Sequence, residues 1–279
     1  MKKLRTCDSS SFFTGVSKCQ IDFGKILGAI IVNKGNKLPA ELTADKLEEL
    51  VHADGDERVY GIVRFVEYAP NGGEAQTAVN GYGPEEFTGF SARKDTYTLN
   101  AFYPELHSSL TKNAHLSKGV YFFDENNVLY GLDDGTDLLA PFPMASIYSD
   151  ATPHPTSSAK STMSVTFAHE DAKKSAVGFD YLKLDFDPMN CTLGLTPVKL
   201  QKDGANGYKL YEGVGGYDVT PIYGPLLAEA DKGVFAGAVS AISYETSTQT
   251  LTVTSTGGDV RLASPSTLFK AGIAGIEQV

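Results

Sequence analysis

The chain reads as a mainly β protein with two domains behind an N-terminal arm, and three observations carry that expectation. Apolar residues recur at every second position over many short segments, as half-buried strands require. Clusters of Gly, Asn, Asp and Pro separate those segments. The aromatic set is 14 Tyr and 15 Phe with no Trp, among many Thr and Val, and these residue types suit a pleated surface. The 279 residues suffice for one large or two modest domains, and at 42% hydrophobic and 21% charged they can build a core.

Taken in order, residues 1–20 are Ser-rich with an apolar handle at Phe12 and Phe13. They predict an arm that either frays or orders on a neighbouring subunit. Ile26–Val32 is a compact apolar run closed by Asn33-Lys34-Gly35-Asn36, the pattern of a buried strand and its turn. Thr43 is placed to cap a short helix through Val51, with Leu47, Leu50 and Val51 at helical spacing. Val59–Tyr68 alternates, Asn71-Gly72-Gly73 is a hairpin signal, and Ala75–Tyr82 is expected to pair back on the first run.

Thr96–Tyr103 alternates again, and Leu106–Leu110 predicts a short helix. Val120–Phe123 and Val128–Gly131 flank the turn Asp124–Asn127, giving a second hairpin. Ala145–Tyr148 is a short strand among prolines, which belong to edges and loops. Ser161–His169 and Phe179–Phe186 are strands joined by a charged turn, Glu170–Ser175. In the second of them Phe179, Tyr181 and Lys183 share one face and Leu182, Leu184 and Phe186 the other.

Asp187-Pro188-Met189-Asn190 marks the boundary, dividing the arm (1–20) and a first domain (21–190) from a second (191–279). The second is Gly- and Thr-rich, with short strands at Thr196–Leu200, Tyr208–Tyr211, Ala238–Tyr244, Thr250–Ser255 and Val260–Ala263. That spacing predicts a small β-sandwich.

Charge narrows the function. A net −10 and a pI near 5.0 exclude a chain whose main task is to grip nucleic acid, because phosphate binding needs a basic face. Three cysteines, Cys7, Cys19 and Cys191, form no disulfide framework and no C-x-x-C pair. The N-terminus lacks an apolar signal region, and the longest apolar run is far short of a membrane span. These features predict folding in the cytoplasm.

No P-loop and no G-x-S-x-G elbow occurs. His169-Glu170 begins like a zincin motif, but Lys173 stands where the second His belongs, and His107 and His115 lack a carboxylate at ligand spacing. Asp133-Asp134-Gly135-Thr136-Asp137 is a dense acidic cluster without EF-hand spacing, so a tight turn is expected. Asp185 and Asp187, with Asp180 nearby, would share a strand face at the separation of an inverting glycosidase, about 7 Å. Carboxylates that protect a strand edge are the preferred account. Gly213-Val214-Gly215-Gly216 is expected to be a flexible turn. No catalytic site, metal or cofactor is expected.

The run Lys118–Asp134 (KGVYFFDENNVLYGLDD), followed by Pro141–Ser149, resembles the strand–turn–strand of bacteriophage tail tube proteins. Ser161–His169 and Val177–Phe186 are similar to the long inner-sheet strands of that family, and Ser9–Val32 resembles the Ser/Phe-rich arm of phage and prophage proteins. Leu193–Val279 resembles the Ig-like modules of virion proteins, through Val219-Thr220-Pro221, Leu251-Thr252-Val253-Thr254 and Leu262-Ala263-Ser264-Pro265.

The resemblance implies a tail-tube-like β-sandwich or barrel domain with a short helix, then a small Ig-like β-sandwich. It further implies a virion structural protein whose copies form stacked rings, expected to be hexameric, around a channel that double-stranded DNA traverses without specific binding. Other virion proteins, and a host-surface glycan at the C-terminal domain, are the further partners expected. The expected inter-subunit contacts are Phe12 and Phe13 in the arm, and Tyr82, Phe87 and Phe90 in a loop, Asn71–Phe90, where they would otherwise be an apolar liability. A capsid decoration, collar or head–tail connector protein shares this logic. A carbohydrate-binding or adhesin module is the alternative from another class, weakened by the lack of Trp platforms.

Overall fold

The computed structural model describes residues 23–136, 138–151, 155, 160–230 and 232–279. Phe12, Phe13, Cys7, Cys19, Asp137, Pro153 and His154 lie outside the described residues. The described chain is mainly β and divides into two compact units. One holds the described residues up to Leu47 together with Val59–Thr192. The other holds Glu48–Arg58 with Leu193–Val279, so the segment 48–58, which the sequence placed in the first domain, folds with the second unit.

In chain order the elements up to Thr192 are β1 (Ile26–Asn33), α1 (Ala44–Val51), β2 (Tyr60–Val63), β3 (Phe65–Asn71), β4 (Ala75–Val79), β5 (Glu85–Phe90) and β6 (Lys94–Leu99). They continue with α2 (Pro104–Asn113), β7 (Lys118–Asp124), β8 (Val128–Asp133), β9 (Leu139–Ala140), β10 (Phe142–Ser149), β11 (Met163–His169), α3 (Ala172–Val177), β12 (Phe179–Lys183) and α4 (Pro188–Cys191). Ten strands form one sheet whose main path runs β12-β8-β7-β10-β11-β6-β3, with β1 on the other side of β7 and β2 beside β1. β2 and β3 are one stretch of chain interrupted at Arg64, whose φ of 71° breaks the strand. Because β2 pairs with β1 and β3 with β6, the sheet curls back towards its own start as a half-barrel.

Aromatic rings fill the core of this sheet. Phe65 stacks on Tyr97 at 4.6 Å, and Phe167 meets Phe122 edge-on at 5.2 Å and Tyr97 at 5.9 Å. Such pairs add about 0.5–1.5 kcal/mol each beyond area burial. Gly28 of β1 is required by this packing, since a Cβ there would lie 2.4 Å from the Phe123 ring and 2.7 Å from the Ile62 carbonyl. The expected turn at Asp124–Asn127 is organised by the buried Asp124 carboxylate, which accepts from the amides of Asn126 and Val128 at 2.9 Å each. Thr43 caps α1, its hydroxyl accepting from the Lys46 amide at 3.2 Å.

Three local expectations are corrected. Ala75–Val79 does not pair with the run before it; β4 pairs with β5, and β3 pairs with β6. The charged turn after His169 is instead the helix α3, capped by Asp171, whose carboxylate accepts from the Lys174 amide at 3.1 Å. Asp185 and Asp187 do not share a strand: β12 ends at Lys183, and Asp187 caps α4 by accepting from the Met189 amide at 2.9 Å.

The elements from Leu193 onward are β13 (Thr196–Lys202), β14 (Gly207–Glu212), α5 (Thr220–Glu229), β15 (Phe235–Ala236), β16 (Val239–Glu245), β17 (Thr250–Ser255), β18 (Arg261–Leu262), α6 (Pro265–Lys270) and β19 (Ile276–Gln278). Five strands form a sheet in the order β16-β17-β14-β13-β19, antiparallel except for β13–β19. Val198, Leu210, Leu251 and Val253 pack beneath Leu227 of α5, Leu268 of α6, and Phe235 and Leu262 of the β15–β18 ribbon. Helices and a two-stranded ribbon therefore stand where a full second sheet of an Ig-like sandwich was expected. Pro221 in the first turn favours this, since its fixed φ suits a helix start.

His52 joins the same unit. Its Nε2 accepts from the Gly275 amide at 2.9 Å, which leaves Nδ1–H to donate to the Glu48 carbonyl at 2.8 Å. The ring stacks on Phe269 at 4.4 Å. Among the described residues, no helix is long and apolar enough to cross a membrane.

Candidate functional site

The most unusual feature of the first unit is an arm. β3 and β6 pair up to Asn71 and Lys94, and the chain then continues outward as the separate ribbon β4–β5. The junction is narrow: the Ser91 amide donates to the Glu74 carbonyl at 3.0 Å, and the Glu74 amide donates to the Ser91 hydroxyl at 3.1 Å. Gly72 and Gly73, at φ 76° and 79°, turn the strand at this point, and a Cβ on Gly72 would lie 1.8 Å from the Ala92 carbonyl oxygen. The sequence signal Asn71-Gly72-Gly73 is thus a hinge between two ribbons and not the tip of a hairpin. The tip is Asn80–Pro84.

The ribbon has no core. Every residue of β4 is exposed, as is most of β5. The expected loop is therefore a formed β-hairpin, and the expected contact residues occupy it as follows. Tyr82 stands fully exposed at the tip, Phe87 is exposed on β5, and Phe90 is half-buried near the base. Phe87 and Phe90 meet edge-on at 5.2 Å. Val79 is exposed too, and Thr77 hydrogen-bonds Glu85 across the ribbon. The edge strand β3 pairs only with β6 among the described residues and leaves Val66 63% exposed.

At the foot of the arm lies a buried polar network. The Asp95 carboxylate accepts from Tyr68 Oη at 2.8 Å and from His169 Nε2 at 2.7 Å, and the Arg93 guanidinium lies 3.0 Å away. Burial alone would raise the Asp95 pKa, but the His169 hydrogen bond and the Arg93 charge outweigh it and hold the carboxyl below its ordinary value. The Tyr68 phenol is pushed up to about 12 by burial and by the Asp95 anion. His169 Nδ1 lies 2.9 Å from the Ser175 hydroxyl, which in turn is 3.0 Å from the Asp171 carbonyl. Ser, His and Asp are the members of a hydrolytic triad, yet Ser175 is 1% exposed and within bonding distance of a backbone carbonyl. A reacting group has no access to it, so the network serves to fasten β3, β6, β11 and α3 together beneath the arm.

Beside the network opens a cleft of about 840 Å³. Its wall is formed by the base of the arm at Phe90–Ala92, the start of α3, and five lysines: Lys34, Lys37, Lys118, Lys173 and Lys174. Lys34 pairs with Glu170 at 3.2 Å, and Lys37 pairs with Asp134. That ion pair, with Thr136, holds the Asp134 carboxyl well below the usual range. Asp133 and Asp134 also accept from the amides of Gly135 and Thr136, so the acidic cluster is a turn.

The network escaped sequence reasoning because its members are 74 positions apart, but a signal existed. Period two puts Asp95 on the face of Tyr97 and Leu99, and His169 on the face of Val165 and Phe167, both buried faces. A charge in inward register requires a partner. Compared with known proteins, the chain gives no match to any family model, any curated protein or any solved structure.

Proposed function

We propose that this chain is a virion structural protein, a phage tail tube subunit that assembles into stacked rings around a DNA channel. The observation that carries the proposal is the β4–β5 arm. A two-stranded ribbon in water is marginal without a further surface to pack on, and this one projects Val79, Tyr82 and Phe87 into solvent. A partner that covers those side chains gives the ribbon its missing half. The open edge of β3 supports the same conclusion, since an unpaired strand edge is a template for another chain. Contacts between unlike surfaces of identical copies propagate head to tail, giving closed rings or open filaments. A net charge of −10 suits a wall past which a polyanion moves without adhering.

Negative-stain electron microscopy of the purified chain tests this. Rings or tubes with a central channel are the expected images. A field of single particles of monomer size at every concentration would overturn the proposal.

A further inference from the structure

Resting on the self-assembly just proposed, we infer that the lysine cleft is the receptor for the arm of a second copy. The two surfaces are complementary in charge and chemistry. The segment Gly72–Ala92 carries Glu74, Glu85 and Glu86 and no lysine or arginine, and its outer half adds Tyr82, Pro84 and Phe87. The cleft presents five lysines against three carboxylates, Asp134, Glu170 and Asp171, in a chain that is otherwise strongly acidic. Two of the carboxylates are already engaged by Lys34 and Lys37, and Asp171 is engaged as the cap of α3. Lys173 and Lys174 have no carboxylate partner among the described residues, so two cations face the cleft uncompensated.

The arm cannot fill its own cleft. The cleft lies at the arm's base, beside Phe90, Ser91 and Ala92, whereas the tip is about 15 Å further along the extended ribbon. Tip and cleft therefore meet only between copies. Because each copy offers one tip and one cleft, tip-to-cleft contacts made head to tail are heterologous and close into a ring or continue as a filament. The cleft volume is within the range of about 300–1,000 Å³ typical of concave binding sites, enough to seat side chains and not only a flat contact. Glu85 and Glu86 would reach Lys173 and Lys174 while Tyr82 and Phe87 enter the apolar floor at Leu132, Ala140 and Pro141.

Charge reversal tests the inference on the full-length chain, with assembly followed by sedimentation and folding by circular dichroism. E85K/E86K puts a basic tip before a basic cleft, and K173E/K174E puts an acidic tip before an acidic one. Each alone should raise the concentration for half-assembly by roughly tenfold or more, since like charges placed together at an interface are strongly unfavourable. An equal mixture of the two folded variants should assemble again, because each tip then meets an opposite cleft. Wild-type assembly that both variants reproduce unchanged would overturn the cleft as receptor and leave self-assembly standing. A wild-type chain that never assembles would overturn both.

Discussion

Asp95 is the residue on which the base of the arm depends. It is 1% exposed, and its two oxygens are shared among a histidine, an arginine and a tyrosine from three positions on the sheet. Removing one partner of a buried charged pair typically costs about 3–5 kcal/mol, because the other is left uncompensated. Asp95→Asn should accordingly lower stability in urea denaturation by about 3 kcal/mol at neutral pH. The pH dependence follows from the sign of the shift. A carboxyl held below its unfolded value of about 3.9 stabilises the fold above that pH and loses the contribution as pH falls through the folded value. The wild-type chain should lose that increment in acid, and Asp95→Asn should not. Tyr68 reports from the opposite side. Its raised pKa stabilises the fold below about pH 10 and that contribution fades as pH rises through about 12. In Asp95→Asn the anion is gone, so the Tyr68 tyrosinate absorbance should appear at lower pH.

At the scale of elements, the hinge at Gly72 decides whether the arm projects. Gly72→Ala places a Cβ 1.8 Å from a backbone oxygen at a φ of 76° that side chains rarely adopt. Strain of this kind costs about 1–3 kcal/mol. Denaturation should show that loss, and hydrogen exchange should show the amides of Glu74 and Ser91 deprotected while those of β7 are unchanged. The strands were legible in the sequence where apolar residues cluster or alternate: β1, β6, β7, β8, β11 and β12 all overlap segments that their apolar residues announced, with one face buried in β6 and both in β7. Partners were less legible, because a hairpin signal is local and pairing is not. Asn71-Gly72-Gly73 has the composition of a turn, but two consecutive positive φ angles here bend a strand outward and leave β3 to β6. α5 was missed because Gly224 and Pro225 interrupt its helical pattern. α3 was read as a turn because six residues are too few to display a period. Tyr82, Phe87 and Phe90 were read from sequence as exposed in a loop; the structure leaves Tyr82 and Phe87 exposed, half-buries Phe90 and forms the segment into a hairpin. The lysine cleft was not legible, since its lysines come from three separate stretches of chain, 34–37, 118 and 173–174.

At the scale of the whole molecule, one imbalance stands out. In the first unit, aromatic residues pack an interior around Phe122 and Phe167, while the β4–β5 hairpin carries Tyr82 and Phe87 with no interior at all. If a second copy covers the ribbon, as proposed, removal of the ribbon should abolish assembly. The most direct measurement is sedimentation velocity across a range of concentration, comparing the full chain with one in which residues 75–90 are replaced by two glycines. The substitution keeps Glu74 and Ser91 adjacent and removes only exposed or half-exposed side chains, so the shortened chain should unfold within about 0.5 kcal/mol of the full one. The full chain should form large species that grow with concentration, and the shortened chain should remain a monomer. Equal assembly of the two, or a full chain that stays monomeric throughout, would contradict the central claim that the arm is completed by a second copy.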